Sequence, residues 1–360
     1  MTSLPITVAD IYKYVVGVDT HAATHSYAVI ATSGALLGQG TFPTTPAGLR
    51  RARDWIGRRT EGDLDAVLIA AEGTGSYGAV LGNVLEEAGY RVVEAPTPRR
   101  ERGRGKTDVL DAVLAARSIL VVPMAMLRDR RAGQGHTALR VLTMAREHLN
   151  IERTRCINAL TALVRSHDLG IDARRSLTSQ QIATIAGWRR RQESFGIATA
   201  RAEAVRLAKR IQATEEELVD NRASITALVT LEAPELLELH GVGAGTAAII
   251  LTVWSYPGRI RSEAGFAQIA GTAPIPASSG NTIRHRLNRG GDRRLNRALN
   301  TTVLTRMRTD PDTRAYVQRR LAQGKTTKEI RRCLKRESHW VEFRLISQDG
   351  NDGQVHERDA

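Results

Sequence analysis

Aromatic side chains make up only 4% of this 360-residue chain, and there are two cysteines. So few rings exclude a core built on aromatic stacking and leave Ala, Leu, Val and Ile to fill it. Cys156 and Cys333 stand far apart and fit no metal-binding spacing. Zinc-ribbon and disulfide frameworks are thereby excluded, and a reducing cytoplasm is expected. No apolar run approaches the roughly 18 residues needed to span a bilayer. The opening MTSLPITVADIYKY lacks the apolar segment of a signal peptide, and no lipidation signal or basic amphipathic terminus points to a membrane surface. Acids are also in short supply: 38 Asp and Glu stand against 52 Lys and Arg, a net charge of +14. Arginine supplies most of that excess and prefers bidentate contact with phosphate, so nucleic acid is the expected partner.

What is present reads as several domains. YVVGV, SYAVIAT and ALLGQGTF form three short apolar runs, and SGA turns the second into the third, which predicts an antiparallel meander. Helical PAGLRRARDWIGRR follows, then the apolar strand DAVLIAA, the helix GAVLGNVLEEAGY stopped by Gly89, and the strand YRVVEAP halted by Pro96. A meander followed by alternating β and α elements predicts an α/β domain with a mixed sheet over residues 12–125. Residues 137–232 carry apolar positions at helical spacing over many turns, as a long antiparallel pair or a dimerising coiled coil. A mostly α-helical block follows at 233–335. Residues 336–360 are polar and aperiodic, and they read as a disordered tail.

Acids close the apolar runs. Asp19 ends the first strand in VGVDTH, and Glu72 ends the fourth in LIAAEGTG. Asp108 and Asp111 are three apart at the head of the helix KTDVLDAVLAAR, on one face. Each acid alone also fits a turn or a helix start. Strand ends at one edge of such a sheet converge, and a helix packed across that edge brings the four together. Four carboxylates in one place repel, and divalent Mg²⁺ or Mn²⁺ offsets them. Two such ions about 3.5–4 Å apart can clamp a displacement at phosphorus. The basic loop just upstream, with Arg99, Arg100, Arg102, Arg104 and Lys106, would hold the nucleic-acid backbone.

Two further motifs point to phosphate. LHGVGAGTAAIIL resembles half of a helix-hairpin-helix, in which Gly241 and Gly243 let the backbone approach a phosphate without regard to sequence. PIPASSGNTIRHRLNRGGDRRLNRALN crowds Arg284, Arg286, Arg289, Arg293, Arg294 and Arg297 around one acid, Asp292. Ser278 and Ser279 precede Gly280 there. They fit a turn, and a hydroxyl among guanidinium groups also suits attack on a phosphodiester.

In this order and spacing, VGVDTH, AAEGTGSYG, KTDVLDA, LHGVGAGTA, AGTAPIPASSG and LNRGGDRRLNRAL resemble the DEDD-type transposases of bacterial insertion sequences, the IS-one-hundred-ten kind. The resemblance covers about residues 12–335. It implies an N-terminal domain similar to the RuvC Holliday-junction resolvase, with an RNase H fold. A helical coiled-coil region and a C-terminal transposase domain follow it. It also implies that Asp19, Glu72, Asp108 and Asp111 are the metal-binding DEDD acids, in the bacterial cytoplasm. Ser279, with Ser278 as the alternative, matches the serine that forms a covalent phosphoserine link to DNA. A structured bridge RNA pairing with donor and target DNA is implied too. So is a dimer or tetramer with composite sites, the acids coming from one subunit and the serine from another. After KEIRRCLKR the sequence departs from the family's basic and apolar final helix. Three rivals follow from the residues. One is a junction resolvase using metal-activated water, and another is an actin-like ATPase on the same core. The third is a DNA-binding scaffold without activity.

Overall fold

The structure, a computed structural model, describes residues 5–95, 108–130, 133–256, 258–277, 285–286 and 288–336, without the side chains of residues 108, 109 and 285. The chain divides into two compact units, Met1–Ala132 and Gly133–Ala360.

The first unit is a mixed α/β sheet domain. A short helix, α1 (Val8–Ile11), leads into β1 (Tyr14–Thr20), β2 (Thr24–Ala31) and β3 (Leu36–Pro43), which form the antiparallel meander. Gly34 supplies the positive φ that the β2–β3 turn needs. Helix α2 (Pro46–Arg59) starts on a Thr45 cap with proline at its first position. β4 (Val67–Ala71), α3 (Ala79–Glu87) and β5 (Arg91–Glu94) follow. β4 and β5 lie parallel to β1, and the strand order is β3-β2-β1-β4-β5. Helix α4 (Asp108–Leu120) comes last. Strand alternation sorts the core into two layers. Val16, Val18, Ile69 and Ala71 pack on α2 and α3, while Val15, Leu68, Ala70 and Val93 pack with α1 and α4.

The second unit is mostly helical. Helices α5 (Gln134–Ser166) and α7 (Phe195–Glu232) run antiparallel, as their cross-links show: Asn221 to the Leu142 carbonyl, Arg153 to Glu215, Arg210 to Glu152. Apolar clusters sit at both ends of this pair. One gathers Leu160, Leu207 and Ile211 with α6 (Ser179–Ala186). The other gathers Ile225 and Val229 with α9 (Ala244–Trp254), α10 (Glu263–Ile269) and α11 (Arg293–Thr309), past the one-turn α8 (Glu235–Glu238). Between Ile211 and Ile225 the buried positions of α7 are polar, Thr214 and Asn221. The short ribbon β6 (Ile275–Pro276) and β7 (His285–Arg286) precedes α11. Helix α12 (Pro311–Ala322) and a last helix, α13 (327–336), complete the unit. Ile330 and Leu334 of α13 pack on Val303. Of the segment read as a disordered tail, Arg336 is helical and residues 337–360 lie outside the described residues. No helix among the described residues is long and apolar enough to cross a membrane.

Candidate active site

The acidic edge is built by strand alternation and one glycine. On β1, Val15, Gly17 and Asp19 face α4. On β4 that face belongs to Leu68 and Ala70 and passes next to Glu72. Glu72 lies one residue past β4, but its N–H donates to the Val18 carbonyl at 3.0 Å, so the ladder continues. Since Val18 pairs with Ala71, Asp19 and Glu72 are the next neighbours on adjacent strands, about 4.8 Å apart in backbone.

Helix α4 approaches this face closely. A Cβ on Gly17 would collide with the Ala112 carbonyl oxygen and come within 2.6 Å of the Ala116 nitrogen. Val15 clusters with Ala116 and Ile119, so α4 runs opposite to β1. Asp19, one step beyond Gly17, therefore falls beside the first turn of α4, where Asp108 and the half-buried Asp111 are placed in sequence.

The turn after Glu72 explains EGTGSYG. Gly73 adopts φ +57°, and its carbonyl accepts from Ser76 and Gly78 N–H groups at 2.8 and 3.1 Å. The Thr20 hydroxyl donates to the Glu72 carbonyl at 3.0 Å and ties the two strand ends together.

Asp19 is 6% exposed, and its Oδ2 lies 3.0 Å from His21 Nε2. The His21 backbone N–H donates to Nδ1 of the buried His25. Burial holds the His25 pKa below its ordinary value, which favours the neutral ring and leaves Nδ1 free to accept.

Among the described residues no three His, Cys, Asp or Glu side chains stand close enough to hold an ion. The Asp108 side chain is not described. The donors that the fold directs to this edge are carboxylates, the hard oxygen ligands that suit Mg²⁺ or Mn²⁺. Sequence reasoning missed one acid. Glu94 closes β5 level with Ala71, on the opposite face, where the Thr74 hydroxyl donates to it at 3.4 Å. RVVE ends in an acid just as VGVD does, so the signal was there.

In the second unit the predicted phosphate ligands separate into groups. Gly241 has φ +86°, and a Cβ there would press on the Thr302 carbonyl of α11, so close packing already accounts for it. Gly243 caps α9 and has open space before it. Asp292 caps α11 by accepting from the Arg294 and Leu295 N–H groups at 2.8 and 2.9 Å. Gly291 lies directly on Gly271, and the Asp292 N–H donates to the Ile269 carbonyl at 2.6 Å, which interlocks the RGGD and AGTAP segments. Arg294 pairs with Glu147 of α5 at 3.0 Å, and Arg297 does so at 3.4 Å. Arg286, Arg289, Arg293 and Arg297 line one cavity. Arg99, Arg100, Arg102, Arg104, Lys106, Ser278, Ser279 and Arg284 lie outside the described residues.

Comparison with known proteins matches two stretches of the chain to transposase families. Residues 16–167 match a family model described as transposase, of the DEDD IS110 kind, and residues 233–318 match the transposase IS116/IS110/IS902 family. An uncharacterized 43.6 kDa protein of insertion element IS110 from Streptomyces coelicolor is 24% identical, over 92% of this chain and 93% of its own length. An uncharacterized 42 kDa protein of insertion element IS900 from Mycobacterium paratuberculosis is 29% identical, over 69% of this chain and 74% of its own.

Proposed function

Since the chain belongs to the IS110-type transposases and is a DNA transposase, we propose that it moves its insertion sequence by a metal-dependent, serine-mediated exchange of DNA strands. The observation that carries this reading is the placement of Asp19 and Glu72 side by side on the α4 face of the sheet, beside the helix turn bearing Asp108 and Asp111. The RNase H-like character of the unit is part of the same proposal.

Asp19, Glu72, Asp108 and Asp111 would hold Mg²⁺ or Mn²⁺. When bound, the cations supply charge that polarises the scissile phosphate. His21, on Asp19 Oδ2, would orient that carboxylate toward a cation. Ser279, with Ser278 as the alternative, attacks phosphorus. One P–O bond to serine forms, one P–O bond in the strand breaks, and the serine proton passes to the departing alkoxide. Attack by the hydroxyl of another strand restores a phosphodiester and frees the serine. The number of phosphoester bonds is conserved, so the exchange needs no outside energy. The arginines, the basic loop at 99–106 and Gly243 hold phosphates irrespective of sequence. A structured RNA supplied by the element chooses the sites, and a dimer or tetramer brings acids and serine together from different subunits. The net charge of +14 supports contact with both nucleic acids.

Purified protein, Mg²⁺, the element's RNA and supercoiled donor and target DNA should give a covalent protein–DNA adduct. Asp19→Asn should slow its formation by on the order of 10²–10³-fold. An adduct that persists after replacement of both Ser278 and Ser279 by alanine would overturn the nucleophile. Undiminished cutting by Asp19→Asn would overturn the acidic site.

A further inference from the structure

The C-terminal unit contains a cavity of about 890 Å³ whose lining charge is almost entirely of one sign. Its walls are the 270–274 turn, one side of α11 and the last helix, α13. Eleven of its described lining side chains are Arg or Lys, against a single acid, Glu329. Four of the cations belong to the cluster seen in the sequence, while five come from α13: Lys328, Arg331, Arg332, Lys335 and Arg336.

The one acid is already committed. Glu329 Oε2 accepts from both the backbone N–H and the hydroxyl of Thr326 at 2.8 Å, closing a capping box at the start of α13. Those bonds hold its pKa below the ordinary carboxylate value. The cations meanwhile crowd one another. Lys335, half-buried with its ammonium donating to Asn296 Oδ1 at 3.2 Å, has its pKa lowered by burial and then by Arg331 and Arg332. The Nε atoms of Arg331 and Arg320 are buried without a hydrogen-bond partner. Eleven cations facing one space with a single committed acid leave a positive potential that an oxyanion would offset.

Size limits the occupant. A volume of 890 Å³ is a space roughly 10 Å on a side, narrower than the ~12 Å major groove of B-DNA alone. A short stretch of one strand suits a space of that width better than an intact duplex does. No Phe, Tyr or Trp lines it among the described residues, so the grip is on phosphate and sugar rather than on stacked bases.

We propose that this cavity seats the phosphates of a single-stranded nucleic-acid segment two or three nucleotides long, with α13 as its second wall. The inference rests on the nucleic-acid reading given under Proposed function. It adds a strand-selective site that includes the last helix.

Cys333 is exposed and lines the cavity, so it serves as a reporter. Iodoacetamide alkylation of Cys333 is followed in full-length Cys156→Ser protein, in EDTA. The probes are a five-nucleotide DNA strand, the RNA strand of the same sequence, and a blunt DNA duplex at equal phosphate concentration. A single strand at ten times its Kd should slow alkylation about tenfold, and the duplex should not. Protection by DNA alone identifies a strand of the element or its target, and protection by RNA alone identifies the guide. Replacing the exposed Lys328, Arg332 and Arg336 with Gln should reduce the slope of log K against log salt for the bound strand by about 2. Alkylation indifferent to both single strands, or slowed equally by the duplex, overturns the proposal. Because the assay contains no metal and no cut, it can fail while cleavage is intact, and it can succeed in Asp19→Asn.

Discussion

In the N-terminal unit acids meet at the ends of parallel strands, whereas in the C-terminal unit cations meet around a hole. The two sites are made by different means. Asp19 and Glu72 come together because a β-ladder fixes both the register and the facing of its residues, so two strands paired 53 residues apart deliver neighbouring side chains. The cations come together because α11 turns Arg293 and Arg297, and α13 turns five cations, toward the same space, where α12 adds Arg320 alone. A ladder positions a few groups tightly, as chemistry requires. Helix stripes gather many groups loosely, as a sequence-indifferent grip on a polyanion requires. In the second of them like charges crowd one another, as the pKa of Lys335, lowered by burial and then by Arg331 and Arg332, shows.

The sharpest way to break this contrast is Gly17→Val. Its side chain would drive into the α4 backbone, costing about 3 kcal/mol or more by overpacking. The first unit should melt earlier in calorimetry and lose cleavage, while single-strand binding measured by anisotropy remains. Smaller is the loss of stability just below pH 6.5 that His25 brings to the first unit. The buried His25 has a folded-state pKa below its unfolded 6.5. The unfolded chain therefore binds a proton first as pH falls, and His25 contributes stability that is full above pH 6.5 and is lost below it, at no more than about 1.4 kcal/mol per pH unit. Melting temperature against pH should show this decline, and His25→Gln should flatten it. Smallest is Glu147→Gln, which releases Arg294 and Arg297. A partly exposed pair of this kind is worth about 0–1 kcal/mol, so stability should barely move. The salt slope of nucleic-acid binding should steepen by about 1 as the freed arginines reach phosphates.

The sheet was legible in the sequence because its strands announce themselves. VVGV, YAVIA and VLIAA are apolar runs closed by turn residues, and the parallel pairing follows from the intervening helix. The facing of Asp19 was legible once Gly17 and Val15 were put on one side. Glu94 closes its strand in the same way, but only the register with Ala71 shows that it lies on the opposite face from Asp19 and Glu72. The α13 wall escaped for a different reason. Nothing local in KEIRRCLKR marks the cations at 328, 331, 332, 335 and 336 as a wall, and it is the packing of Ile330 and Leu334 on Val303 that sets them along the cavity. Arg294 shows the converse. Nothing in the local sequence says that its partner, Glu147, stands on α5, nearly 150 residues earlier.

The paired helices α5 and α7 have a consequence of their own. A helix of 33 residues is about 50 Å long, and the apolar clusters lie at its two ends, while the buried positions of α7 between them are the polar Thr214 and Asn221. The polar stretch works as a ruler whose graduations can be changed. Adding seven residues to each helix there would move the far cluster outward by about 10 Å without opening either core. Reach, in this molecule, is encoded separately from stability.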